Sequence, residues 1–212
     1  MGGLRTTDGR ATRPAALVRS GMLDRLTAQG WSELLAYGVR TIVDLRNDEE
    51  RTVLPPPPLT CVHVPLDDPA DTAMWDRIRA DGVDGTPLYY PFFLERKAER
   101  CAAAVRAVAH AGPGGGVLVH GAGGRDRTGL VSLLLLLLAG VAPDEIAADY
   151  ELSNQWMAQK NPRYCTLEVL ARHHTTERDA LLAVIDSLDA VSYLREAGLR
   201  EEEIEAVRSR LR

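Results

Sequence analysis

The chain has 212 residues, of which 45% are hydrophobic and 26% are charged, as is usual for an ordinary folded domain. This composition excludes a disordered, collagen-like or coiled-coil chain. The formal net charge is 25 − 30 = −5 with neutral histidines, which argues against nucleic-acid binding because that function requires a basic face. We therefore expect a single domain over residues 1–212 with no nucleic-acid partner.

The three cysteines, Cys61, Cys101 and Cys165, lie far apart and form no C-x-x-C pair. Neither a disulfide framework nor a metal site is therefore predicted. The first twenty residues lack the continuous apolar core of a secretory signal peptide. The most apolar segment, Leu130–Val141, is shorter than the ~20 residues that span a bilayer. We expect a cytoplasmic location and no membrane span.

Strands and helices are predicted to alternate in the first part of the chain. A short strand is expected at Ala15–Ser20. Thr27 is a candidate N-cap for a helix that Gly38 ends. The β-branched segment Val39–Leu45 is typical of a buried strand.

The middle of the chain combines a linker, a long loop and a helix. Four prolines, Pro55–Pro58, predict an extended linker, and Cys61–Val64 a further strand. An acidic, irregular stretch is expected from Asp67 to Tyr90. Apolar residues at helical spacing then predict one helix over Pro91–His110.

The second half is predicted to be mostly helical after a strand at Val117–Val119. Helices are expected to begin near Thr128 and Pro143, and others to cover Thr176–Ser187 and Glu201–Leu211. Strands separated by helices favour an α/β fold with a central, mostly parallel sheet flanked by helices.

A glycine-rich turn with two arginines follows the last predicted strand. The segment Val117–Leu130 reads VLVHGAGGRDRTGL, a strand, a turn and an apolar helix. Backbone N–H groups of such a turn converge on an oxyanion, and the helix N-terminus adds partial positive charge. Arg127 can bind two oxygens at once, as lysine cannot. The sequence therefore predicts a phosphate-binding loop.

Two common nucleotide-binding motifs do not fit this turn. A dinucleotide fingerprint starting at Gly121 meets Asp126 at its third glycine position. A Walker loop starting at Gly124 meets Leu130 where lysine belongs.

The segment His120–Gly129 resembles the active-site loop of cysteine-dependent tyrosine and dual-specificity phosphatases. The bacterial branch of that family reads His-Cys-x-x-Gly-Lys-Asp-Arg-Thr-Gly. Four further segments are similar to the same branch, so that the resemblance covers nearly the whole chain: Thr6–Gly21, Thr41–Arg46, Gly140–Tyr150 and Ser192–Leu211. The resemblance implies a tyrosine-phosphatase-like fold, a phosphoric monoester hydrolase ancestry and no metal or organic cofactor.

Two positions depart from the family pattern. Gly121 stands where the family has its nucleophilic cysteine, and Arg125 stands where this branch has lysine. Asp126, Arg127 and Thr128 match the pattern.

The resemblance implies a role for each loop residue. Arg127 would clamp the phosphoryl oxygens, Thr128 would stabilise a thiolate leaving group, and His120 would orient the loop. Asp126 is favoured as general acid, with Asp67 and Asp68 as rivals. Backbone amides are expected to bind the substrate at four consecutive residues: Ala122, Gly123, Gly124 and Arg125.

Gly121 leaves open whether the chain is an enzyme. Without a side chain there no phosphoenzyme forms, and loss of a nucleophile costs on the order of 10⁶ in turnover. Three alternatives follow: a pseudophosphatase that binds a phosphorylated protein, lipid or small molecule; a true tyrosine phosphatase studied as a Cys→Gly variant; and a thiol-independent hydrolase in which Asp126 activates water. The three cysteines are expected to be buried hydrophobes rather than relocated nucleophiles.

Two other groups have a structural and a functional interpretation. Arg19, Asp44 and Arg46 are expected to form structural ion pairs rather than substrate contacts. Aromatic side chains between positions 89 and 93 are expected to pack in the core rather than line an entrance.

Overall fold

A parallel sheet of four strands organises the fold. The computed structural model describes residues 1–160 and 166–212. The strands lie in the order β1-β4-β2-β3, and every pairing between them is parallel. Their bounds are Leu17–Ser20 for β1, Val39–Asp44 for β2, Thr60–His63 for β3 and Gly116–His120 for β4. This arrangement confirms the predicted α/β class.

Helices connect the strands and form most of the second half of the described chain. Their bounds are Ala28–Ala36 (α1), Thr72–Ala80 (α2), Tyr90–Arg96 (α3), Ala98–Ala109 (α4), Asp126–Leu138 (α5), Pro143–Lys160 (α6), Leu167–Arg172 (α7), Glu177–Ser187 (α8), Ala190–Glu196 (α9) and Glu201–Leu211 (α10). Within the described ranges, no helix is long and apolar enough to cross a bilayer.

The two faces of the sheet bury different amounts of apolar surface. One face packs on α1, where Ile42 and Leu118 meet the partly buried Trp31. The other face, with Val43 and Val119, packs on the larger set of helices. Side chains of successive strand residues alternate between the faces, as the pleat of a strand requires.

Helix α5 lies inside the larger core and is apolar on all sides. Ten of its thirteen residues are buried, Leu133–Leu136 among them. Such a helix is stable only when it is surrounded by protein, which agrees with the predicted buried helix. Its first residue, Asp126, lies six residues after the end of β4, so the intervening loop is held between a fully buried strand and a mostly buried helix.

Several element bounds differ from the sequence-based predictions. The stretch expected to be irregular contains α2, because the Asp71 carboxylate accepts a hydrogen bond from Met74 N and caps the helix. The single helix expected over Pro91–His110 is broken at Lys97, whose ammonium group binds Asp68 and Asp71.

Other differences lie in the proline segment and near the C-terminus. The prolines do not continue as one extended linker, since a turn with a cis Pro57–Pro58 bond leads into β3. Helices α7 and α9 were not predicted, because each is shorter than eight residues. The predicted caps of α1 are confirmed, since Thr27 Oγ1 accepts from Gly30 N and Gly38 has φ +108°.

The carboxyl ends of β2 and β4 lie side by side. Asp44 pairs in register with His120, and both residues are the last of their strands. Side chains that follow neighbouring parallel strands therefore meet at one edge of the sheet. The predicted phosphate-binding loop begins at this edge.

The start of β4 predicts a specific effect on stability. A Cβ at Gly116 would lie 2.0 Å from the Ala15 carbonyl oxygen, a distance that requires the backbone to move. Gly116→Ala is therefore expected to lower the free energy of unfolding by about 1–3 kcal/mol or more in denaturant unfolding. Gly112→Ala is the matched control, because a Cβ there meets nothing within 4 Å. Equal stabilities of the two variants would contradict this packing.

Candidate functional site

The loop between β4 and α5 has backbone donors without protein acceptors. The N–H groups of Ala122, Gly123 and Gly124 donate no hydrogen bond to any described residue. Gly124 has φ +75°, and a Cβ there would lie 2.5 Å from Gly21 N, so only glycine fits. The loop also leads into the N-terminus of the thirteen-residue helix α5. These features together favour the binding of an anion.

Position 121 is surrounded by two residues that the sequence places in the site. A Cβ built on Gly121 would lie 3.3 Å from Thr128 Oγ1 and 3.6 Å from Arg127 Nε. The Thr128 hydroxyl is buried and has no hydrogen-bond partner among the described residues. The backbone thus has nearly enough room for a side chain at position 121, and an unpaired hydroxyl lies beside it.

The Arg127 guanidinium is held by carboxylates on two of its edges. At its terminal edge, Nη1 donates to Glu50 Oε2 over 2.5 Å and Nη2 donates to Glu50 Oε1 over 2.8 Å. At its side edge, Nε lies 3.3 Å from Asp67 Oδ2. Because Nε also lies beside position 121, the edge that Asp67 occupies is the edge that faces the loop. Glu50 therefore orients Arg127, and Asp67 covers the side edge that faces the loop.

The three candidate general acids differ in protonation. Burial raises the pKa of Asp67 to about 6, with smaller contributions from Glu50 and Asp126, while Arg127 opposes the rise. Burial also raises the pKa of Asp126. Hydrogen bonding from Lys97 instead keeps the pKa of Asp68 below its ordinary value. The raised pKa values of Asp67 and Asp126 suit a general acid, and the lowered pKa of Asp68 does not.

His120 lies at the root of the loop and is 2% exposed. Its Nδ1 is 3.3 Å from the Gly121 carbonyl oxygen, and its Nε2 is 3.6 Å from Asp44 Oδ1. Burial lowers the pKa of His120. Asp44 in turn receives hydrogen bonds from the buried Arg46, which also binds Asp24. This network gives Asp44 and Arg46 structural ion pairs, as the sequence analysis expected.

The side chain of Arg125 does not face the loop opening. It is 1% exposed, and it forms an ion pair with Glu177 of α8 and donates to Asn154 of α6 and to the Gly85 carbonyl. Its Nη1 also lies 3.3 Å from Asp126 Oδ1. The guanidinium therefore joins the loop to two helices instead of extending towards a ligand. A substrate-binding role for Arg125 stays a prediction for its backbone amide alone.

Arg19 of β1 supports the loop from the other side. Its Nη2 donates to the Gly124 carbonyl over 2.9 Å, and its Nη1 forms an ion pair with Asp149 of α6. The guanidinium also lies over the Tyr150 ring. Arg19 is thus a structural residue, in agreement with the expectation.

A cleft of about 400 Å³ opens above Arg127, and its other charged residues are three aspartates and Arg79. Asp67, Asp84 and Asp126 line it, and Trp75 and Tyr89 form part of its wall. Tyr89, Tyr90 and Phe93 are buried in the core, as expected, although Tyr89 also borders the cleft. The positive loop therefore lies at the base of a negatively charged entrance.

The described cysteines cannot replace a nucleophile in the loop. Cys101 is completely buried in α4, and burial raises its pKa to about 12, so its thiol stays protonated. Burial also raises the pKa of the half-buried Cys61 in β3. Cys165 lies outside the described residues. Within the ranges described, no group of three or more potential ligands is arranged to hold a metal ion.

Glu50 and Glu177 are site residues that the sequence analysis did not identify. Glu50 lies in a short 3-10 helix, Asp48–Glu50, that follows β2. An acidic residue just beyond the carboxyl end of a strand next to β4 is the pattern that identifies it. Glu177 belongs to the first turn of α8, far along the chain, and no local pattern connects it to Arg125.

The family model and the similar proteins found by comparison all belong to phosphatases. A family model described as "Tyrosine phosphatase family" matches residues 1–212. A triple specificity protein phosphatase, PtpB, of Mycobacterium tuberculosis is 30% identical over 198 residues, which cover 79% of this chain and 70% of that protein. A tyrosine-protein phosphatase of Nostoc commune is 28% identical over 229 residues, covering 92% and 74%. A crystal structure of P. aeruginosa TpbA with pTyr aligns at 20% identity and a TM-score of 0.40, covering 93% of this chain and 86% of that one.

The raised pKa of Asp67 predicts a pH-dependent change in stability. The pKa of Asp67 rises from 3.8 to about 6 on folding, so the folded protein becomes less stable as the pH rises between these two values. Asp67→Asn is therefore expected to increase the free energy of unfolding at pH 7.5 by up to about 3 kcal/mol, and to have little effect at pH 4. Denaturant unfolding at the two pH values measures the difference.

The neighbouring carboxylate is the control for this prediction. Because the pKa of Asp68 is lowered in the folded chain, Asp68→Asn is expected to lower the free energy of unfolding at pH 7.5. The same sign of change in both variants would show that Asp67 is not buried against its neighbours as described.

Proposed function

The chain belongs to the tyrosine phosphatase family, and from this premise we propose that it recognises phosphate monoesters without normal turnover. Recognition uses the loop amides of residues 122–125 and the side edge of Arg127. The observation that carries the proposal is the arrangement of these donors around position 121, where the side chain that would attack phosphorus is missing. The protein would then act as a pseudophosphatase that binds and shields a phosphorylated partner.

A phosphate in this loop would replace Asp67 and leave Glu50 in place. The terminal edge of Arg127 is already fixed by the two hydrogen bonds that it donates to Glu50. The side edge, Nε and Nη2, is then the one that can donate to two phosphoryl oxygens in parallel. Asp67 contacts that edge only through Nε, at 3.3 Å. Its high pKa lowers the cost of displacing it, since a protonated Asp67 no longer attracts the guanidinium.

The absence of a thiolate removes catalysis and at the same time favours the binding of phosphate. A thiolate about 4 Å from a phosphate repels each negative charge by roughly 4 kcal/mol at an effective dielectric constant of 20. Gly121 removes this repulsion together with the nucleophile. Asp126 as an activator of water is a weaker candidate mechanism, because its carboxylate lies beside Arg125 and its own burial favours the protonated form.

The acidic entrance indicates which phosphate esters fit. Asp67, Asp84 and Asp126 line the cleft together with Arg79, and in their ionised forms the three carboxylates repel additional negative charge on the ligand. A single phosphate on a neutral or basic carrier is therefore favoured over a polyphosphorylated one. The partner class remains a phosphorylated protein, lipid or small molecule.

Restoring the family's thiol tests the proposal. In Gly121→Cys, a thiolate beside Thr128 Oγ1 and Arg127 Nε would attack phosphorus, form a phosphocysteine and release an alcohol or phenol protonated by Asp126 or Asp67. Water would then cleave the phosphorus–sulfur bond to give phosphate. We expect hydrolysis of an aryl phosphate to rise by roughly three to six orders of magnitude over the unmodified chain.

Two controls make this result interpretable. Gly121→Ser adds a side chain of nearly the same size but a far weaker nucleophile, so it should stay inactive. Gly121→Cys combined with Arg127→Ala should lose most of the recovered rate. A folded Gly121→Cys protein with no activity would contradict an otherwise intact phosphatase site.

Opposite effects on anion affinity are predicted for the two carboxylates at Arg127. Asp67→Asn should strengthen sulfate binding about tenfold at pH 7.5, because a competitor is removed from the side edge. Glu50→Gln should weaken it about tenfold, because Arg127 loses its orientation. Isothermal titration calorimetry measures both, and sulfate keeps its charge across the pH range.

Asp68→Asn is the matched control for charge, since Asp68 binds Lys97 and not Arg127. In the unmodified chain, sulfate affinity is expected to fall as the pH rises through about 6, and the fall should be smaller in Asp67→Asn. Equal affinities for the Glu50 and Asp67 variants would show that the two edges of Arg127 are not distinguished as proposed.

A further inference from the structure

A second cavity, of about 560 Å³, lies at the opposite edge of the sheet from the phosphate-binding loop. Its lining includes residues 13–16, Gly38 and residues 113–116, which lead into or begin strands β1, β2 and β4. The loop of residues 121–125 follows the other end of β4. This rear cavity is therefore separate from the site proposed above and independent of the function proposed there.

The rear cavity contains positive charge without a counter-ion. The ionisable groups in its lining are Arg13 and Arg210. Neither forms an ion pair with a carboxylate in the described part of the chain. Arg13 instead donates through Nε, over 3.0 Å, and through Nη2, over 2.5 Å, to the Arg210 carbonyl oxygen, which brings the two residues together. Burial, and in second place the nearby Arg13, lower the pKa of Arg210. Two cationic side chains that line one cavity favour the binding of an anion there.

Hydrogen-bond donors at this cavity also lack acceptors. Arg210 uses Nη1 and Nη2 to bind the carbonyls of the turn after α4, at Ala111, Gly112 and Gly115. Its Nε is buried and has no partner among the described residues. The N–H groups of Gly114 and Gly115 likewise donate to no acceptor in the described chain. A buried unpaired guanidinium nitrogen is costly, so a ligand that accepts from it is favoured.

Glycines in the turn between α4 and β4 leave this part of the cavity lining without side chains. Gly114 has φ +82°, which other residues rarely adopt. A Cβ at Gly115 would lie 2.2 Å from Arg40 Cγ. Consecutive glycines that expose their amides beside cationic side chains are the pattern of an anion-binding nest.

We infer that the rear cavity binds a small organic oxyanion. The anionic group, a phosphate or a carboxylate, would accept hydrogen bonds from Arg13, from Arg210 Nε and from the amides of Gly114 and Gly115. The carrier would pack against the small apolar residues of the lining, Ala15 and Ala206 among them. The cavity thus provides this chain with a second ligand site whose occupant is distinct from the phosphate at the loop.

Nuclear magnetic resonance separates the two sites, because each contains glycine amides. The experiment uses the full chain carrying Arg127→Ala, which weakens the front loop, and follows the amide resonances of Gly114 and Gly115 during titration with inorganic phosphate and, separately, succinate. Saturable shifts of these two resonances are expected with at least one anion. Adding Arg13→Gln should raise the dissociation constant about tenfold or more, through loss of a charged donor.

Arg10→Gln is the control with the same change of charge, because Arg10 is exposed and forms its one ion pair among the described residues with Asp8. It should leave the dissociation constant within about twofold. Shifts with phosphate alone identify a phosphate site, and shifts with both anions identify a general oxyanion site. Absence of shifts with either anion, or equal weakening by Arg13→Gln and Arg10→Gln, would overturn the inference. The resonances of Gly123 and Gly124 report separately on the front loop, so failure at one site is distinguished from failure at the other.

Discussion

The fork between Glu50 and Arg127 is the contact on which the candidate site depends. A guanidinium has two edges that can each donate two parallel hydrogen bonds, and its long side chain can present either edge. Glu50 occupies the terminal edge and leaves the side edge over position 121. The sheet makes this contact possible, because β2 and β4 are neighbours and the chain beyond β2 therefore passes beside the loop beyond β4. The geometry of the loop thus follows from strand order.

Under the proposed function, the atoms that would recognise phosphate are separate from the atom that would attack it. The donors are the loop amides, the N-terminus of α5 and the Arg127 side chain. None of them belongs to the side chain at position 121. A loop with glycine at position 121 keeps these donors, and the Thr128 hydroxyl beside Gly121 has no hydrogen-bond partner among the described residues. Under the proposed function, phosphate recognition without turnover is possible because different atoms would be responsible for binding and for attack.

The sequence predicted the sheet, the buried helix and the loop because each depends on a local pattern. The segment VLVHGAGGRDRTGL places a strand, a glycine turn and a helix within fourteen residues. Contacts between distant segments were less accessible. Arg125 could not be separated from a ligand-facing arginine, because its partner Glu177 lies 52 positions away. Helix α2 was missed for a different reason, since Asp71 serves as a helix cap where its acidic surroundings indicated a loop. The role of Glu50 required the strand order, which no local pattern contains.

A crystal structure with tungstate bound measures the central geometry directly, since the metal's anomalous scattering locates the anion without ambiguity. The account predicts density in the loop with its oxygens about 3 Å from the amides of residues 122–124 and from Arg127 Nε. Glu50 should remain on the terminal edge and Asp67 should have turned away. An empty loop at saturating tungstate, or an anion bound while Asp67 keeps its contact with Nε, would contradict the account.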